Sequence, residues 1–470
     1  MAMGNLINSD PPLLPAELER ILLETDTLQE AYLVGGCVRD SFLGLPQKDF
    51  DIEVFGITYE RLEKALKRWG RVDLVGRSFG VAKLTTASGE QYDFSLARRD
   101  SKVAAGHKGF SITFDPDITP KEAAARRDYT INALMYSPRK GALLDYYGGI
   151  ADLKQRILRH TSTAFSEDPL RVLRGMQFAA RFDLTTATET LKLCRQIKDN
   201  FHELAVERVR EEWLKWAAKC QVPSRGLQFL RDTGWSEHFP EVQALMGVPQ
   251  DPEWHPEGDV FTHTCLCCDA MARLPAWQKL DEPSRITYML AILAHDFAKP
   301  QTTSRALRDG KWRIVSPGHE EAGGPVAESF MERISISHAV RERVVPLVTN
   351  HLAHLNAVTD RGVRRLAKRL EPETIEGLCL VIEADHSGRP PKPPGLPQGA
   401  KELLSKAAEM ELQAAAPKPI LQGRDLITRG MSPGKEFGQI LEAAFEAQLE
   451  GKFSDHEGAL KWLEEIRPRL

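Results

Sequence analysis

The hydrophobic pattern of the first part of the chain mixes two periods. AYLVGG is a short apolar run that ends in two glycines, and DFDIEVFG alternates polar and apolar residues. Such short runs are typical of strands, whereas PAELERILL repeats its apolar positions every three or four residues, as helices do. Strands and helices are therefore mixed, which predicts a small α/β domain over residues 1–150.

From about Ser166 onward the pattern has helical spacing almost throughout. Apolar residues recur at helical intervals in DPLRVLRGMQFAARF, ATETLKLCRQIKD and LAVERVREEWLKWAAK, and again from about Phe261 to Asp385. The proline-dense RPPKPPGLPQG then predicts a stiff linker, and the rest of the chain is helical again. We therefore expect an α+β protein whose strands are confined to its first part.

Composition is typical of a globular protein and excludes several classes. With 470 residues, 42% hydrophobic and 27% charged, the chain is long enough for about three domains. No apolar run reaches the roughly 18 residues that a membrane helix needs. The N-terminus lacks the basic start and apolar stretch of a signal peptide. We therefore expect a cytoplasmic protein with no membrane partner.

Local charge favours contact with phosphates, although the net charge of the chain is −4. Between Lys121 and Arg181, eleven Lys and Arg residues stand against six Asp and Glu residues. Clustered basic residues are typical of nucleic-acid binders, but a solvated helix face gives the same count. Charge alone leaves both interpretations open.

Asp49 and Asp51 are candidate metal ligands. Side chains alternate faces along a strand, so two residues that are two apart in DFDIEVFG point the same way. Converging carboxylates can bind one or two Mg²⁺ ions, which activate a hydroxyl and stabilise leaving pyrophosphate. A lone pair of this kind is more often an exposed strand face.

The segment before this pair makes a nucleotide site the better interpretation. Gly35 and Gly36 end a strand and open a helix, where backbone N–H groups can face phosphate oxygens at close approach. Arg39 adds a permanent positive charge just inside that helix. A phosphate cradle followed by a carboxylate pair predicts a site for a nucleoside triphosphate.

Five motifs in order resemble those of the bacterial-type tRNA nucleotidyltransferase and poly(A) polymerase family. LVGGCVRDSFLGLPQKDFDIEVFG resembles its G-G-x-V-R-D and D-x-D signature, and ARRDYTINAL resembles its R-R-D-x-x-x-N-A-L motif. DYYGGIADLKQRILRHT, EDPLRVLRGMQFAARF and VERVREEWLKW resemble its three later segments. The resemblance covers roughly residues 31–216. It implies that Asp128 recognises the ribose 2′-hydroxyl, that Arg127 lies near the phosphates and that Asn132 supports the site.

The segment SEDPLRVLR carries the predicted choice of base. Ser166 is a good helix N-cap, and Asp168 and Arg171 are three apart, which places them on one helix face. An Asp acceptor beside an Arg donor can mimic a Watson–Crick edge and select CTP or ATP without a template. The resemblance assigns base selection to Glu167, Asp168 and Arg171, and contact with the triphosphate to Arg174.

Two neighbouring features resemble the family less closely. Asp93 stands where relatives often carry a third carboxylate, so we treat it as a supporting acid. Residues 98–120 have the Gly, Lys and Asp content of a flexible loop. In the family a loop here helps the switch from C to A addition, which argues against an enzyme that adds only CC.

A second set of metal-binding residue types follows in the helical part. An adjacent His-Asp pair inside the apolar YMLAILAHDFAK is unfavourable unless it binds something. The order of these residues resembles the HD phosphohydrolase superfamily, which implies a bound divalent metal such as Mn, Ni, Fe or Mg. A single histidine is more often structural, so the ordered set carries the prediction. The candidate metal ligands are His263, His295, Asp296, His319, His351 and Asp385, and His255 precedes them.

Together these features predict a nucleotidyltransferase head at 1–150, an all-helical neck at 151–245, a helical HD domain at 246–390 and a linker with a helical tail at 391–470. The expected reaction adds CCA, or its terminal A, to the 3′ end of tRNA from CTP and ATP with release of pyrophosphate. Alternatives are an HD phosphohydrolase as the main activity, or a poly(A) polymerase.

Overall fold

The computed structural model describes residues 12–47, 49–76, 80–102 and 110–466. It has two compact units. Unit 1 comprises Met1–Trp216 and Arg225–His238, and unit 2 comprises Ala217–Ser224 and Phe239–Leu470. Each unit is described separately below.

Unit 1 is built on a mixed sheet. Its strands are β1 (Ala31–Val34), β2 (Asp51–Val54), β3 (Gly70–Gly76), β4 (Val81–Thr86), β5 (Gln91–Leu96), β6 (Arg98–Lys102), β7 (Phe110–Phe114), β8 (Met135–Ser137), β9 (Ala142–Leu144), β10 (Ile157–Leu158) and β11 (Thr185–Thr186). Within the described residues, seven of them form one sheet in the order β3-β4-β5-β2-β1-β8-β9. β2 and β5 are parallel, while the other neighbours in this sheet are antiparallel.

The burial of these strands follows their residue pattern. All four positions of β1 are buried, as the apolar AYLV predicts. β2 alternates, with Ile52 and Val54 buried and Asp51 and Glu53 more accessible. The predicted α/β character of this region is therefore confirmed. The strand begins at Asp51, however, so Asp49 precedes it, and the prediction that one strand carries both residues is wrong.

The helices of unit 1 follow the apolar spacing of the sequence. They are α1 (Ala16–Glu24), α2 (Gly36–Phe42), α3 (Tyr59–Leu66), α4 (Pro120–Ala125), α5 (Gly149–Gln155), α6 (Leu170–Phe182), α7 (Thr188–Gln196), α8 (Val206–Lys219) and α9 (Pro223–Thr233), of which α8 and α9 extend beyond the unit. Trp213 and Trp216 on α8 are fully buried. Large apolar side chains on one face of α8 thus contribute to the core.

The start of α6 differs from the prediction. The helix begins at Leu170, two residues after Asp168, and Ser166 does not cap it. Instead the Asp168 carboxylate accepts a hydrogen bond from the Leu170 N–H at 3.0 Å. Asp168 is a better acceptor for this turn because Pro169 fixes the backbone between them. The premise that Asp168 and Arg171 share a helix face is therefore wrong.

The predicted flexible loop at 98–120 is largely regular where the structure describes it. β6 and β7 pair antiparallel, with Arg98 opposite Phe114 and Lys102 opposite Phe110. The sequence then enters α4 through a capping box of Thr119 and Glu122. Residues 103–109, the remainder of the predicted loop, lie outside the described residues.

Unit 2 is mainly helical. Its helices are α10 (Pro240–Gln243), α11 (Val260–Arg273), α12 (Pro275–Gln278), α13 (Glu282–Ala294), α14 (Lys299–Thr302), α15 (His319–Arg333), α16 (His338–Asn350), α17 (Asp360–Leu370), α18 (Ile375–Ser387), α19 (Gln398–Glu409), α20 (Gly423–Thr428), α21 (Lys435–Leu449) and α22 (His456–Ile466). α11, α13, α16 and α18 pack together as the centre of a bundle. α20 to α22 enclose a separate small core around Leu426, Ile440 and Phe453.

A β-hairpin interrupts the predicted all-helical block. β12 (Ser304–Arg308) and β13 (Lys311–Val315) pair antiparallel around Asp309 and Gly310. Both turn residues have positive φ, 48° and 75°, as a two-residue type I′ turn requires. The prediction of uninterrupted helix is therefore wrong here.

The proline-dense segment also differs from the prediction, because it is not a spacer. Arg389 forms an ion pair with Asp385, and Lys392 Nζ donates to the Trp254 carbonyl at 3.0 Å. α19 then packs directly on α18. The prolines fix an irregular connection within unit 2. In the described part of the chain, no helix is both long and apolar enough to cross a membrane.

Candidate functional sites

A polar cavity of about 490 Å³ in unit 1 collects most of the predicted nucleotide-binding residues. Of the predicted residues, it is lined by Gly35, Gly36, Arg39, Asp51, Arg127, Asp128, Asn132, Asp168, Arg171 and Arg174. Asp49 and Glu167 are not among the lining residues. Asp49 is exposed just before β2. Glu167 lies close to Arg126, where burial lowers the pKa of the guanidinium and the negative charge of Glu167 opposes that shift.

Asp51 lines this cavity, and Asp93 lies beside it on the neighbouring strand. They are register partners on the parallel strands β2 and β5, so both side chains lie on one face of the sheet. Burial raises the pKa of Asp51, with the negative charges of Asp93 and Asp49 acting in the same direction and Arg127 opposing them. Lys83 Nζ lies 3.6 Å from Asp93 Oδ1. Two carboxylates on one face of the sheet offer the oxygen ligands that a divalent cation prefers.

The glycine turn places two arginines beside the carboxylates. Gly35 has φ +71°, and a Cβ there would lie 3.1 Å from Arg127 Nη1. Arg127 itself is held by Glu53 at 3.0 Å. Arg39 is only 4% exposed, and its guanidinium donates to Asn132 Oδ1 at 2.5 Å. A larger residue at position 35 would therefore displace a cation that faces the cavity.

Asp128 is the centre of a buried hydrogen-bond network. Its carboxylate accepts from Asn132 Nδ2 at 2.9 Å, from the Tyr129 N–H at 2.8 Å and from Arg174 Nε at 2.7 Å. Burial opposes ionisation, but Arg174 and the Asn132 donor outweigh it and hold the pKa of Asp128 below its usual value. Asn132 thus links Arg39 to Asp128, and the network fixes an ionised acceptor in the cavity wall.

Asp168 and Arg171 both face the cavity but are held by different partners. Arg208 Nη2 donates to Asp168 at 3.1 Å. Arg171 donates to the carbonyls of Ala164 at 2.6 Å and Arg126 at 2.7 Å. A guanidinium has five N–H donors, so Arg171 keeps others for a ligand. The two residues thus offer a fixed acceptor and a fixed donor without sharing a helix face.

Sequence reasoning missed five polar residues that also line the cavity. Two lie on α6 beside Arg174 and three lie on α8; they are Gln177, Arg181, Arg208, Glu212 and Lys215. Their spacing in the sequence could have identified them, because residues that are three, four or seven positions apart lie on one face of a helix. Glu212 is 2% exposed and pairs at 2.8 Å with Lys215, whose side chain is partly exposed, so this face holds a buried carboxylate beside accessible cations.

The predicted histidine and aspartate set comes together in unit 2. α11 carries His263, the end of α13 carries His295 and Asp296, and α15 begins at His319. His351 follows α16, and Asp385 lies near the end of α18. All six side chains are buried. His263 and Asp385 lie together with His295 and Cys267, while Asp296 lies with His319 and His351, within 4.8 Å in each group.

The ring nitrogens of this histidine cluster are oriented for a cation. Nδ1 of His295, His319 and His351 each lies 2.7 Å from a backbone carbonyl three residues earlier. Such a contact fixes the proton on Nδ1 and turns the Nε2 lone pair toward the centre. His263 is held in the same sense by Glu257, whose Oε1 lies 2.7 Å from its Nδ1.

The carboxylates of the cluster remain ionised although they are buried. For Asp296, burial is outweighed by His295 and by Lys299, whose Nζ lies 2.8 Å from Oδ2, so its pKa lies well below the usual value. Arg389 has the same effect on the pKa of Asp385. His295 Nε2 lies 3.2 Å from Asp296 Oδ2, and His319 Nε2 lies 3.3 Å from Asp296 Oδ1. Imidazole Nε2 atoms around such a carboxylate fit a divalent transition metal.

A second cavity of about 490 Å³ opens beside the cluster. Sequence reasoning missed Glu257, Lys299 and Arg389, although the last two follow Asp296 and Asp385 at the helical spacings of three and four residues. The wall residues that offer charge or an aromatic ring are Asp251, Trp254, His255, Asp296, Lys299, Arg308, His319, His351, His354, Asp385 and Arg389.

Known proteins resemble this chain over most of its length. Residues 31–159 match the family model of the Poly A polymerase head domain. A Multifunctional CCA protein of Xanthomonas campestris pv. campestris (strain B100) is 36% identical, over 88% of this chain and 96% of the relative. A Multifunctional CCA protein of Halorhodospira halophila is 37% identical, over 77% of this chain and 84% of the relative.

Solved structures share the fold. The Thermotoga maritima CCA-adding enzyme in complex with a tRNA has a TM-score of 0.60 at 20% identity, with 99% of this chain and 98% of that chain covered. The Bacillus stearothermophilus CCA-adding enzyme in complex with CTP has a TM-score of 0.62 at 19% identity, with 97% and 99% covered. They confirm the predicted α+β fold class, and with the relatives above they place this chain in the family of multifunctional CCA proteins.

Proposed function

We propose that this protein adds CCA to the 3′ end of tRNA from CTP and ATP without a template. The observation that supports this proposal most is the cavity of unit 1. It has carboxylates at one end and both a hydrogen-bond acceptor and a donor in its wall. The relatives are named for CCA, and the structural neighbours bind tRNA or CTP. Release of pyrophosphate accompanies each addition.

Asp51 and Asp93, with Asp49 beside them, are the residues that would hold Mg²⁺. When bound, the ion polarises the RNA 3′-hydroxyl and neutralises charge on the triphosphate. The chain itself supplies the positioning. Backbone N–H groups after Gly35 and the guanidinium of Arg127 face the same end of the cavity, which directs a triphosphate toward the carboxylates.

The Asp128 network and the Asp168 pair would hold the rest of the nucleotide. Asp128 is ionised and accepts from Arg174, so it can also accept from a ribose hydroxyl. Asp168 accepts and Arg171 donates, which together complement the donor and acceptor edge of a base. Because Arg208 and backbone carbonyls fix both groups, selection needs no template strand.

Transfer is tested with Asp51→Asn and a tRNA that lacks its CCA end. We expect the variant to incorporate labelled CTP and ATP at least about 100-fold more slowly, because a neutral amide holds a divalent cation poorly. Glu90→Gln, an exposed acid in the turn between β4 and β5, is the control. Normal extension by Asp51→Asn contradicts the proposal.

The extent of addition is tested on three tRNAs, which end in the discriminator base, in C and in CC. A CCA-adding enzyme extends the first two with CTP and the third with ATP, and then stops. An enzyme specific for the terminal A acts only on the third. A poly(A) polymerase continues past one A and accepts generic RNA. That result would contradict the proposed CCA addition.

A second activity is favoured by the histidine cluster. We propose that unit 2 binds a divalent metal, with Mn, Ni, Fe and Mg as candidates, through His263, His295, Asp296 and Asp385, and hydrolyses a phosphoester in the adjoining cavity. The buried ionised Asp296, whose oxygens face the Nε2 atoms of His295 and His319, supports this proposal. Lys299 and Arg389 would attract the phosphate.

Metal content and hydrolysis are tested separately. Asp296→Asn should lose the bound metal by elemental analysis. It should also stop phosphate release from a 3′-phosphorylated nucleotide and ring opening of a 2′,3′-cyclic nucleotide to the monoester. His338→Ala is the control, because its side chain is 69% exposed. Retained metal and unchanged phosphate release in Asp296→Asn would reject the second activity while leaving nucleotide transfer unaffected.

A further inference from the structure

The β12–β13 hairpin forms one wall of the histidine-lined cavity. Arg308 of β12 and Ile314 and Val315 of β13 all line it. Arg313 fixes the hairpin to the chain before α11 through an ion pair with Asp251 at 3.2 Å. The hairpin therefore stands at a defined place beside the cluster.

The hairpin carries uncompensated positive charge. Arg305, Arg308 and Lys311 are exposed, and none has an ion-pair partner within the described part of the chain. The one acid of the hairpin is Asp309 in the turn. Arg308 lines the cavity together with Lys299 and Arg389, which pair with Asp296 and Asp385, so cationic side chains extend from the hairpin to the cluster.

The same hairpin exposes a large apolar pair. Trp312 and Leu307 are cross-strand partners, and they are 72% and 60% exposed. Trp254 at the cavity wall is 45% exposed, and the Arg313 guanidinium lies 5.3 Å from its ring centroid. Arg313 thus lies over the ring of Trp254, while the ring of Trp312 is available to a ligand.

We propose that this hairpin binds single-stranded RNA and directs a phosphate of that strand into the cavity. A base stacks on Trp312, and Arg308 contacts a phosphate on the way to the cluster. Exposed aromatic rings interleaved with unpaired cations are the features that bind single strands without sequence preference. The inference rests on the proposed hydrolase function of this cavity.

Charge distinguishes RNA from another copy of this chain as the occupant. A two-fold dimer through the hairpin would cover Leu307 and Trp312 with the same patch of the other copy. It would also bring Arg305, which lies on the same strand face as Leu307, close to Arg305 of the other copy, which is unfavourable. A polyanion with bases satisfies both the rings and the cations.

The test measures the affinity of the full-length protein for a labelled tetranucleotide RNA with a 3′-phosphate. We expect Trp312→Ala to bind about fivefold or more weakly, because stacking of a base contributes on the order of 1 kcal/mol or more, whereas Trp312→Phe should stay within about twofold. Arg308→Ala should lower the slope of log Kd against log salt by about 0.7, the value for one phosphate contact with a single strand. Ile427→Ala, 55% exposed in α20, is the matched control.

Equal affinity and salt slope in wild type, Trp312→Ala and Arg308→Ala overturn the inference. A concentration-dependent dimer that only Trp312→Ala abolishes, with RNA affinity unchanged, also overturns it and assigns the patch to self-association. Binding is measured without turnover. If the wild-type protein releases no phosphate, the hydrolase proposal is rejected. The measured affinities still test whether the hairpin binds RNA.

Discussion

At the scale of single residues, Gly35 shows why sequence patterns located the nucleotide cavity. Its φ of +71° with ψ −126° is a conformation that only glycine adopts readily. The same residue leaves room for Arg127, whose Nη1 would lie 3.1 Å from an added Cβ. The backbone conformation and the space for Arg127 therefore both require glycine at this position. A sequence motif that begins with glycine reflects both requirements.

Gly35→Ala should lower the free energy of unfolding of unit 1 by about 1–3 kcal/mol from backbone strain alone, and should raise the KM for CTP because Arg127 must shift. Gly44→Ala is the matched control: it also has positive φ, +65°, but no atom lies within 4 Å of its added Cβ. Denaturant unfolding and steady-state kinetics check both effects. Equal KM values for the two variants would show that Arg127 does not contact the nucleotide.

Asp128 supports a pH prediction at the same scale. Its pKa is lowered in the folded protein, since Arg174 and Asn132 outweigh burial. The stabilisation is therefore present above the unfolded pKa of about 3.9, and is lost as pH falls through the lower folded pKa. Asp128→Asn should reduce unfolding free energy by about 1–3 kcal/mol at pH 7.

The difference between wild type and Asp128→Asn should then decrease as pH falls below about 4. Denaturant titrations at several pH values measure it, and Asp117→Asn, which changes an exposed carboxylate, is the control. A difference that grows toward acid pH would mean that the folded state favours the protonated carboxyl.

At the scale of elements, the sequence predicted where helices and strands lie better than it predicted their local geometry. Strand β1 and helix α6 were visible because apolar periodicity reports burial directly. The capping residue of α6 was predicted wrongly, since Ser166 and Asp168 are both good acceptors and only the path through Pro169 decides between them. The β12–β13 hairpin was detectable from Asp309-Gly310 between two strand-like runs, and was missed because the surrounding helical pattern dominated.

The polar face of α8 gives the prediction at this scale. Arg208 holds Asp168 at 3.1 Å, and Asp168 is the proposed acceptor for the base. Arg208→Ala should leave Asp168 mobile, so the ratio of kcat/KM for CTP to that for ATP should change by about tenfold, as loss of a charge-assisted hydrogen bond predicts.

Glu211→Gln, an exposed residue off this face of α8, is the control and should keep the wild-type ratio. Arg208→Lys should recover part of the discrimination, because it retains the charge but not the forked donor. A fall of both kcat/KM values by the same factor in Arg208→Ala would assign Arg208 to general binding instead.

At the scale of the whole molecule, tertiary structure supplied what periodicity could not. The histidine set is spread from α11 to α18, and only the bundle brings its members together. Arg389 lies in a segment that was predicted to be a linker, so its role was missed. Proline content indicates that a segment is stiff but does not show where it packs. The division into four domains stays a prediction, while two compact units are observed.

The histidine cluster predicts how stability responds to metal removal. A buried ionised Asp296 surrounded by imidazole nitrogens is stabilised by a bound cation, and a ligand at about 100 times its Kd adds roughly 2.7 kcal/mol to stability. A chelator should therefore lower the unfolding midpoint of unit 2 in the wild-type protein. The midpoint in Asp296→Asn should be insensitive to chelator, since a member of the donor set is already missing.

Asp51→Asn distinguishes this effect from loss of Mg²⁺ at the other cavity. Asp51 lies in unit 1, so its variant should retain the full chelator shift in unit 2. Differential scanning calorimetry with and without chelator follows the transitions, and added Mn²⁺ or Ni²⁺ should restore the midpoint in wild type but not in Asp296→Asn. A shift of equal size in Asp296→Asn and wild type would mean that the metal that stabilises unit 2 is bound outside the histidine cluster.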